Sequence, residues 1–394
     1  MEDDGNRVYI LVVDDEPDLE LLIRQRFRKK IRDGAYEFSF AANGKEALDF
    51  VDSGKRVDVI LSDINMPVMD GLTFLANLRE VERDDFMTII VSAYGDMGNI
   101  RTAMNRGAFD FVTKPIDFED LEITIEKTIL HVQELRKAKV NQQELDRVNS
   151  ELEVASRIQQ AIIPKEYPPF PEYRQFSLYA EMRPALQVGG DFYDYFLLND
   201  HELGIAIADV AGKGVPAALI MSATRALLKA ESSRQSGPAE CLGEVNLHLS
   251  AENISSMFVS LFYGVLDFHD GIFRYASAGH GMPYLLTGTD VRQVPRSRGT
   301  VLGVDMQSRY EERHLALERG DMLFFSTDGI MEAFNREREE YSDDRLEILL
   351  RSTKDRDVQS LVRFVVSDVQ RFVGGARQSD DMTAMALAYA GATD

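Results

Sequence analysis

The sequence predicts an α/β doubly wound parallel five-stranded sheet over residues 7–120, a long helical, coiled-coil linker over 121–163, and an α+β layered β-sandwich flanked by helices over 164–390. Three observations carry this. Short apolar runs alternate with stretches of helical periodicity through residue 115, the pattern of βα units. Residues 118 to 163 then contain neither glycine nor proline. From Phe176 onward short strand-like runs dominate, with helical stretches grouped between them.

In the first part, runs at Val8–Val13, Phe38–Ala41, Val57–Ser62, Thr88–Ser92 and Phe109–Val112 are short enough for strands, and helical stretches lie near 17–31, 44–53, 71–82 and 97–106. A doubly wound sheet gathers its functional groups beyond the carboxyl ends of its strands. Asp14 and Asp15 follow the first run, Asp63 follows the third, Ser92 closes the fourth and Lys114 follows the fifth. An acidic trio at that edge binds Mg²⁺ and leaves Asp63 as a carboxylate nucleophile toward a phosphoryl group. Ser92 and Lys114 are placed to hold phosphoryl oxygens. Singly, each has a plainer reading: Asp-Asp-Glu can start a helix and Lys-Pro can punctuate a turn.

The linker's apolar residues recur at helical spacing: Leu121, Ile125, Ile129, Val132 and Leu135, then Leu145, Val148, Leu152, Ala155, Ile158 and Ile162. The interval 136–144 is polar, and the seam slips there. This is the pattern of a helix able to pair as an interrupted coiled coil, hence a homodimer through the linker. One amphipathic helix folded against a domain is the alternative. Pro164 and the Pro168-Pro169-Phe170-Pro171 segment stop it.

In the last part, strands are expected at Phe176–Glu181, Tyr195–Leu198, Leu203–Asp209, Phe258–Asp267, Ile272–Ala278, Pro283–Leu286, Met322–Ser326 and Thr383–Ala388. Helices are expected at 215–231, 238–253, 342–352 and 357–373. Four aspartate motifs punctuate this region: GGDFYD (Asp191, Asp194), ADVAGKG (Asp209), STDGIMEA (Asp328) and SDDMT (Asp380, Asp381). Each adjoins an apolar run, so the acids can converge although distant in sequence. Converging carboxylates without basic neighbours repel one another, and hard divalent cations relieve that cost. All-oxygen ligands favour magnesium or manganese over zinc. Two such ions bridged by carboxylates can produce hydroxide near neutral pH and clamp phosphate oxygens. Any one of these residues could be an ordinary turn aspartate. His280, in Ser277-Ala-Gly-His280, reads as a turn residue near a sheet edge.

Composition narrows the functional classes. With 44 basic against 66 acidic residues, the formal charge of -22 opposes a phosphate backbone, so direct nucleic-acid binding is not expected. No apolar run reaches the roughly 18 residues of a membrane span, and the acidic start lacks a secretory pattern. The lone Cys241 excludes an intramolecular disulfide and a cysteine zinc site. A cytoplasmic location is the expectation.

Val12-Val-Asp-Asp-Glu16, Leu61-Ser-Asp-Ile-Asn-Met-Pro-Val-Met-Asp-Gly71, Val91-Ser-Ala93 and Thr113-Lys-Pro115 resemble the receiver domain of two-component response regulators. The resemblance implies that Asp63 accepts a phosphoryl group from a histidine kinase. It further implies Mg²⁺ held by Asp15, Asp63 and the Asn65 carbonyl, with Asp14 completing the acidic site. Ser92 and Lys114 would sense the phosphate, and Phe111 stands at the aromatic switch position, where Tyr is frequent and Phe a common variant.

The aspartate motifs with Ala276-Ser-Ala-Gly-His280 resemble the metal-dependent protein phosphatases of the bacterial sporulation and stress-response branch. The segment Ala155–Pro164 resembles the helix that precedes their catalytic domain. This implies removal of phosphate from Ser or Thr of a protein, an anti-anti-sigma factor being the expected partner. By position Asp209 would bridge two Mg²⁺ or Mn²⁺ with the Val210 carbonyl assisting, and Asp191, Asp328 and Asp380 would complete the shell. Asp381 fits the alignment less well than Asp380, and no arginine for the substrate phosphate can be placed. GGDFYD also resembles the signature of cyclic-dinucleotide synthases, but only in those few letters. Phosphorylation at Asp63 would then control the phosphatase; the alternative is a phospho-regulated protein that sequesters a partner without hydrolysis.

Overall fold

The structure, a computed structural model, describes residues 7–81, 85–93, 95–234, 237–251, 257–288, 290–353 and 357–391. The chain divides into two compact units, Met1–Val148 and Asn149–Asp394. No helix among the described residues is long and apolar enough to cross a membrane.

The first unit runs β1 (Val8–Val13), α1 (Pro17–Arg26), α2 (Arg28–Arg32), β2 (Tyr36–Ala41), α3 (Gly44–Asp52), β3 (Val59–Asp63), α4 (Gly71–Leu78), β4 (Met87–Ala93), α5 (Met97–Asn105) and β5 (Asp110–Lys114). All pairings are parallel in the order β2-β1-β3-β4-β5, the doubly wound sheet the alternation predicts. Both faces are covered, which is why β1 is apolar throughout. Ile10 and Val12 pack with Leu19 and Ile23 of α1, whereas Leu11 and Val13 pack with Ala47 and Val51 of α3 and Phe74 of α4. The helix expected over 17–31 is two helices. The chain leaves helical geometry at Phe27 (φ -94°, ψ 15°), and that ring packs on Tyr36 and Phe38 at 6.0 and 5.5 Å between centroids. The helix expected to reach 82 ends at Leu78; residue 82 itself lies outside the described residues.

Helix α6 (Phe118–Ile162) is 45 residues long. Leu121, Ile125 and Ile129 join the core of the first unit. The polar interval 136–144 does not interrupt the helix, and the apolar side chains of Leu145 and Val148 beyond it are exposed.

The second unit runs β6 (Phe176–Arg183), β7 (Phe192–Leu197), β8 (Glu202–Val210), α7 (Val215–Ser232), α8 (Pro238–Ala251), β9 (Val259–Asp267), β10 (Ile272–Ala278), β11 (Tyr284–Thr287), β12 (Asp290–Gln293), β13 (Arg313–Ala316), β14 (Met322–Ser326), α9 (Asp328–Met331), α10 (Asp343–Ser352), α11 (Val358–Val373) and β15 (Met382–Tyr389). Two antiparallel sheets, β13-β10-β9-β8-β7 and β12-β11-β14-β15-β6, form a sandwich. Helices α7 and α8 share a core with the first sheet, and α10 and α11 with the second. The short strands β12 and β13 and the one-turn α9 are additions to the sequence reading, and β7 starts at Phe192 rather than Tyr195. The helix expected to 253 ends at Ala251; residues 252 and 253 lie outside the described residues.

The period-two alternation of strands decides which side chains meet between the sheets. Leu203, Ile205 and Ile207 of β8, Tyr193 and Tyr195 of β7, Leu323 and Phe325 of β14, and Met385 and Leu387 of β15 share the inner core. Their neighbours Ala206 and Ala208, and Phe324 and Ala386, face the flanking helices.

Candidate active sites

In the first unit, the carboxyl ends of β1, β3 and β5 bring Asp14, Asp63 and Lys114 together. Lys114 Nζ donates to Asp63 Oδ2 at 2.7 Å, to Glu16 Oε1 at 2.9 Å and to Asp14 Oδ2 at 3.1 Å. Burial works against the Lys114 ammonium, but the hydrogen bonds to Asp63, Glu16 and Asp14 outweigh it and raise its pKa. Asp14 is also raised, by burial, against the opposing Glu16 amide and Lys114. Asp14, Glu16 and Asp63 are the group of three acidic side chains among the described residues whose oxygens lie within 4.8 Å of one another. Glu16 is thus a member that the motif reading passed over, while Asp15 is exposed and stands outside the group. The Asn65 amide donates to Asp63 Oδ1 at 3.3 Å. Ser92 Oγ is buried without a hydrogen-bond partner, an orphan that an added phosphoryl oxygen would satisfy. Phe111, on β5, is 37% exposed. The loop after Asp63 closes tightly enough that a Cβ at Gly71 would stand 2.1 Å from the Asp63 carbonyl oxygen, so only glycine fits there.

In the second unit, antiparallel pairing puts the carboxyl ends of β8 and β14 at the same edge as the amino ends of β7 and β15. Phe192 pairs with Ala208 and Ser326 with Ala384, so Asp191 and Asp209, and Thr327 and Thr383, are next in register. Asp191 is 1% exposed, and its Oδ2 accepts from Thr327 Oγ1 at 2.7 Å and Thr383 Oγ1 at 2.6 Å. Burial, then Asp209 and Asp381, push its pKa well up against those two bonds. Asp209 rises to about 7 through burial and through Asp328, with Asp380 and Asp381 adding to it. Asp328 is raised by burial and by Asp380. These acids feel one another strongly, yet among the described residues no three of them bring oxygens within 4.8 Å. The donor set, oxygen only and mutually repelling, fits hard divalent ions.

Asp380 and Asp381 have separate tasks. Asp381 Oδ1 accepts from the Ala185 amide at 2.7 Å and its Oδ2 from the Gly190 amide at 2.6 Å and the Asp191 amide at 3.3 Å. The Gly-Gly pair is required by that closeness: a Cβ at Gly189 would lie 2.2 Å from Asp381 Oδ2, and one at Gly190 would lie 3.0 Å from the Val210 carbonyl oxygen. Asp380 instead pairs with Lys213 Nζ at 2.9 Å and stays partly exposed. Asp194, of opposite strand parity to Asp191, pairs with Arg225 of α7 at 2.9 Å, away from the acids. His280 follows the bend at Gly279 just past the end of β10; it is buried, its Nδ1 2.9 Å from Ser260 Oγ, and burial lowers its pKa to about 4.

Residues 10–126 match the response regulator receiver domain family, and residues 199–390 match the stage II sporulation protein E (SpoIIE) family. The chain covers 90% of sporulation initiation phosphotransferase F of Bacillus subtilis at 32% identity over 118 residues, 30% of this chain. It is a receiver domain joined to a SpoIIE-type phosphatase domain. The phosphatase domain is similar to phosphoserine phosphatase RsbU of Bacillus subtilis, 32% identical over 219 residues, covering 55% of this chain and 63% of that one. The chain spans less than two thirds of the length of RsbU and of a second long relative, 63% and 43%. The SiaA-PP2C domain of Pseudomonas aeruginosa shares the fold, with a TM-score of 0.56 at 22% identity over 62% of this chain and 98% of that one.

Helix α6 reaches the loop that leads into Asp191. Gln159, 5% exposed, donates through Nε2 to the Gly189 carbonyl at 2.6 Å and accepts from the Gly189 amide at 3.0 Å. That residue stands two before Asp191. Gln159, Thr327 and Thr383 escaped the sequence reading; strand parity, which places both threonines on the inner face with Asp191, was the available signal.

Proposed function

We propose that the chain is a phosphorylation-controlled protein phosphatase acting on phosphoserine or phosphothreonine of a protein partner. The observation that supports it best is the convergence of Asp191, Asp209, Asp328 and Asp380 at one edge of the sandwich, with burial first and then Asp328 raising Asp209 to a pKa of about 7. In this reading those carboxylates, with the Val210 carbonyl, hold two Mg²⁺ or Mn²⁺. Such ions supply hydroxide from bound water at neutral pH and polarise the phosphoryl oxygens. Thr327 and Thr383 orient Asp191, and Asp381 holds the Gly189–Asp191 turn against Asp209.

In the receiver, Asp63 takes a phosphoryl group from a histidine kinase, Asp14, Asp15, Asp63 and the Asn65 carbonyl hold Mg²⁺, and Ser92, Lys114 and Phe111 respond. Glu16 competes for Lys114 in the unmodified state. Control reaches the metal loop through α6, whose Gln159 grips Gly189. The exposed Leu145 and Val148 give α6 an apolar strip for pairing as a homodimer. The likeness to RsbU, named a phosphoserine phosphatase, supports a phosphorylated anti-anti-sigma protein as substrate.

The test is Mn²⁺-dependent hydrolysis of a phosphoserine peptide by the full chain, with and without beryllofluoride to mimic phospho-Asp63. Activity that changes with the mimic is the expected result. No hydrolysis in either condition, with Mn²⁺ shown to bind, would overturn the enzyme reading in favour of a sequestering protein.

A further inference from the structure

A phosphate monoester approaching the phosphatase acids carries negative charge toward negative charge, and at a few ångströms that repulsion is large wherever water is excluded. The chain itself supplies a cation beside these acids. Lys213 lies in the turn between β8, which carries Asp209, and α7, flanked by Gly212 (φ 104°) and Gly214 (φ 76°). Its Nζ pairs with Asp380 Oδ2 at 2.9 Å and donates to the Ser379 carbonyl. It also opposes the upward push that burial and nearby acids exert on Asp328 and Glu332. An ammonium has three donors. Two are used, and the side chain is 44% exposed, which leaves the third for an anion arriving from solvent.

We propose that Lys213 is the substrate-phosphate-binding residue of the phosphatase domain, taking the part for which no arginine could be placed. This rests on the phosphatase reading. Lys213 binds a non-bridging phosphoryl oxygen while a water oxygen forms its bond to phosphorus, the phosphorus–oxygen bond to the serine or threonine breaks, and the leaving side-chain oxygen takes up the proton that the water gives up. Its tie to Asp380 keeps the ammonium at the acids' rim, and its unbranched stem lets it follow the phosphoryl group. A purely structural Lys213 would do no more than hold the Ser379–Asp380 turn to the β8–α7 turn.

The two roles separate experimentally. In the full chain saturated with Mn²⁺, calorimetric titration with inorganic phosphate should show the dissociation constant rising roughly tenfold to a hundredfold in Lys213→Met, the worth of one charged hydrogen bond. Lys213→Arg should recover most of it. KM for a phosphoserine peptide should rise, while Mn²⁺ affinity and melting temperature stay close to wild type. Phosphate affinity unchanged in Lys213→Met, or falling only in step with Mn²⁺ affinity, overturns the proposal. Lys213→Gln carries the same test if the Met variant does not fold. Phosphate binding that depends on Lys213 without any peptide hydrolysis would keep this subsite and sink the phosphatase reading. Hydrolysis with phosphate binding indifferent to Lys213 would do the reverse.

Discussion

Replacing Asp209 by Asn removes the central charge of the acidic edge while keeping the side chain's size. Burial and the neighbouring carboxylates lift Asp209 from 3.8 to about 7. A gap of about three pH units, at 1.36 kcal/mol each, sets an upper bound of about 4 kcal/mol of strain in the charged form. An unfolded Asp209 loses its proton near pH 4, whereas the folded one keeps it until about 7. Over that window the unfolded chain binds fewer protons, so stability falls as pH rises, and the loss is complete above about pH 7. With divalent ions chelated, calorimetry of the full chain should show the phosphatase domain melting lower at pH 7.5 than at pH 5. In Asp209→Asn the slope should flatten, and at pH 7.5 the variant should melt higher than wild type, by about 2–4 °C for each kcal/mol relieved. Asp191, Asp328 and Asp381 are also raised, so some slope remains. Added Mn²⁺ should reverse the order, stabilising wild type far more than the variant. Superimposable pH profiles of wild type and variant in chelator would refute the reasoning that these acids strain one another.

Ser92→Ala should leave receiver stability within about 1 kcal/mol, because its hydroxyl has no partner to lose. It should nonetheless weaken beryllofluoride binding, measured by fluorine NMR. Asp381→Ala orphans three backbone amides and should cost about 3 kcal/mol or more in urea unfolding of the phosphatase domain. Asp380→Ala should cost little stability and instead lower Mn²⁺ affinity in a calorimetric titration. Gln159→Ala leaves the buried Gly189 amide and carbonyl unpaired, at about 1–3 kcal/mol each. Turnover should fall while acetyl-phosphate labelling of Asp63 is unchanged.

The parallel sheet was legible because both its faces are buried, so strands such as Val8–Val13 are unbroken apolar runs between amphipathic helices. The sandwich was legible in its long strands; β12 and β13, four residues each with Val291 their one buried side chain, lack the apolar content to announce themselves. Asp191 and Asp209 could be grouped from the sequence by motif and, with alternation, told apart from Asp194. The division of labour between Asp380 and Asp381 could not, since it depends on where loop amides at 185, 190 and 191 point. Nor could Gln159 be read as a clamp. In a helical pattern it is one polar residue among several, and its partner is backbone at Gly189, thirty residues away. The break at Phe27 is similarly tertiary, an aromatic docking onto β2 overriding helix periodicity.

The inward edge of the sandwich has a consequence in time. Asp381 closes the turn at Gly190 across 191 residues of chain, and Thr383 reaches Asp191 across 192. Strand β15, made after the other strands of this sandwich, carries Thr383 and directly follows Asp381, and it lies in its sheet between β6 and β14. Until β15 inserts, the second sheet is split, and Asp209 of β8 and Asp328 at the start of α9 have no closed pocket. Such long-range pairing forms late and slowly. On the proposed function, a growing chain whose receiver has folded before β15 is made has no working phosphatase yet, and its receiver can be phosphorylated before there is an activity to regulate.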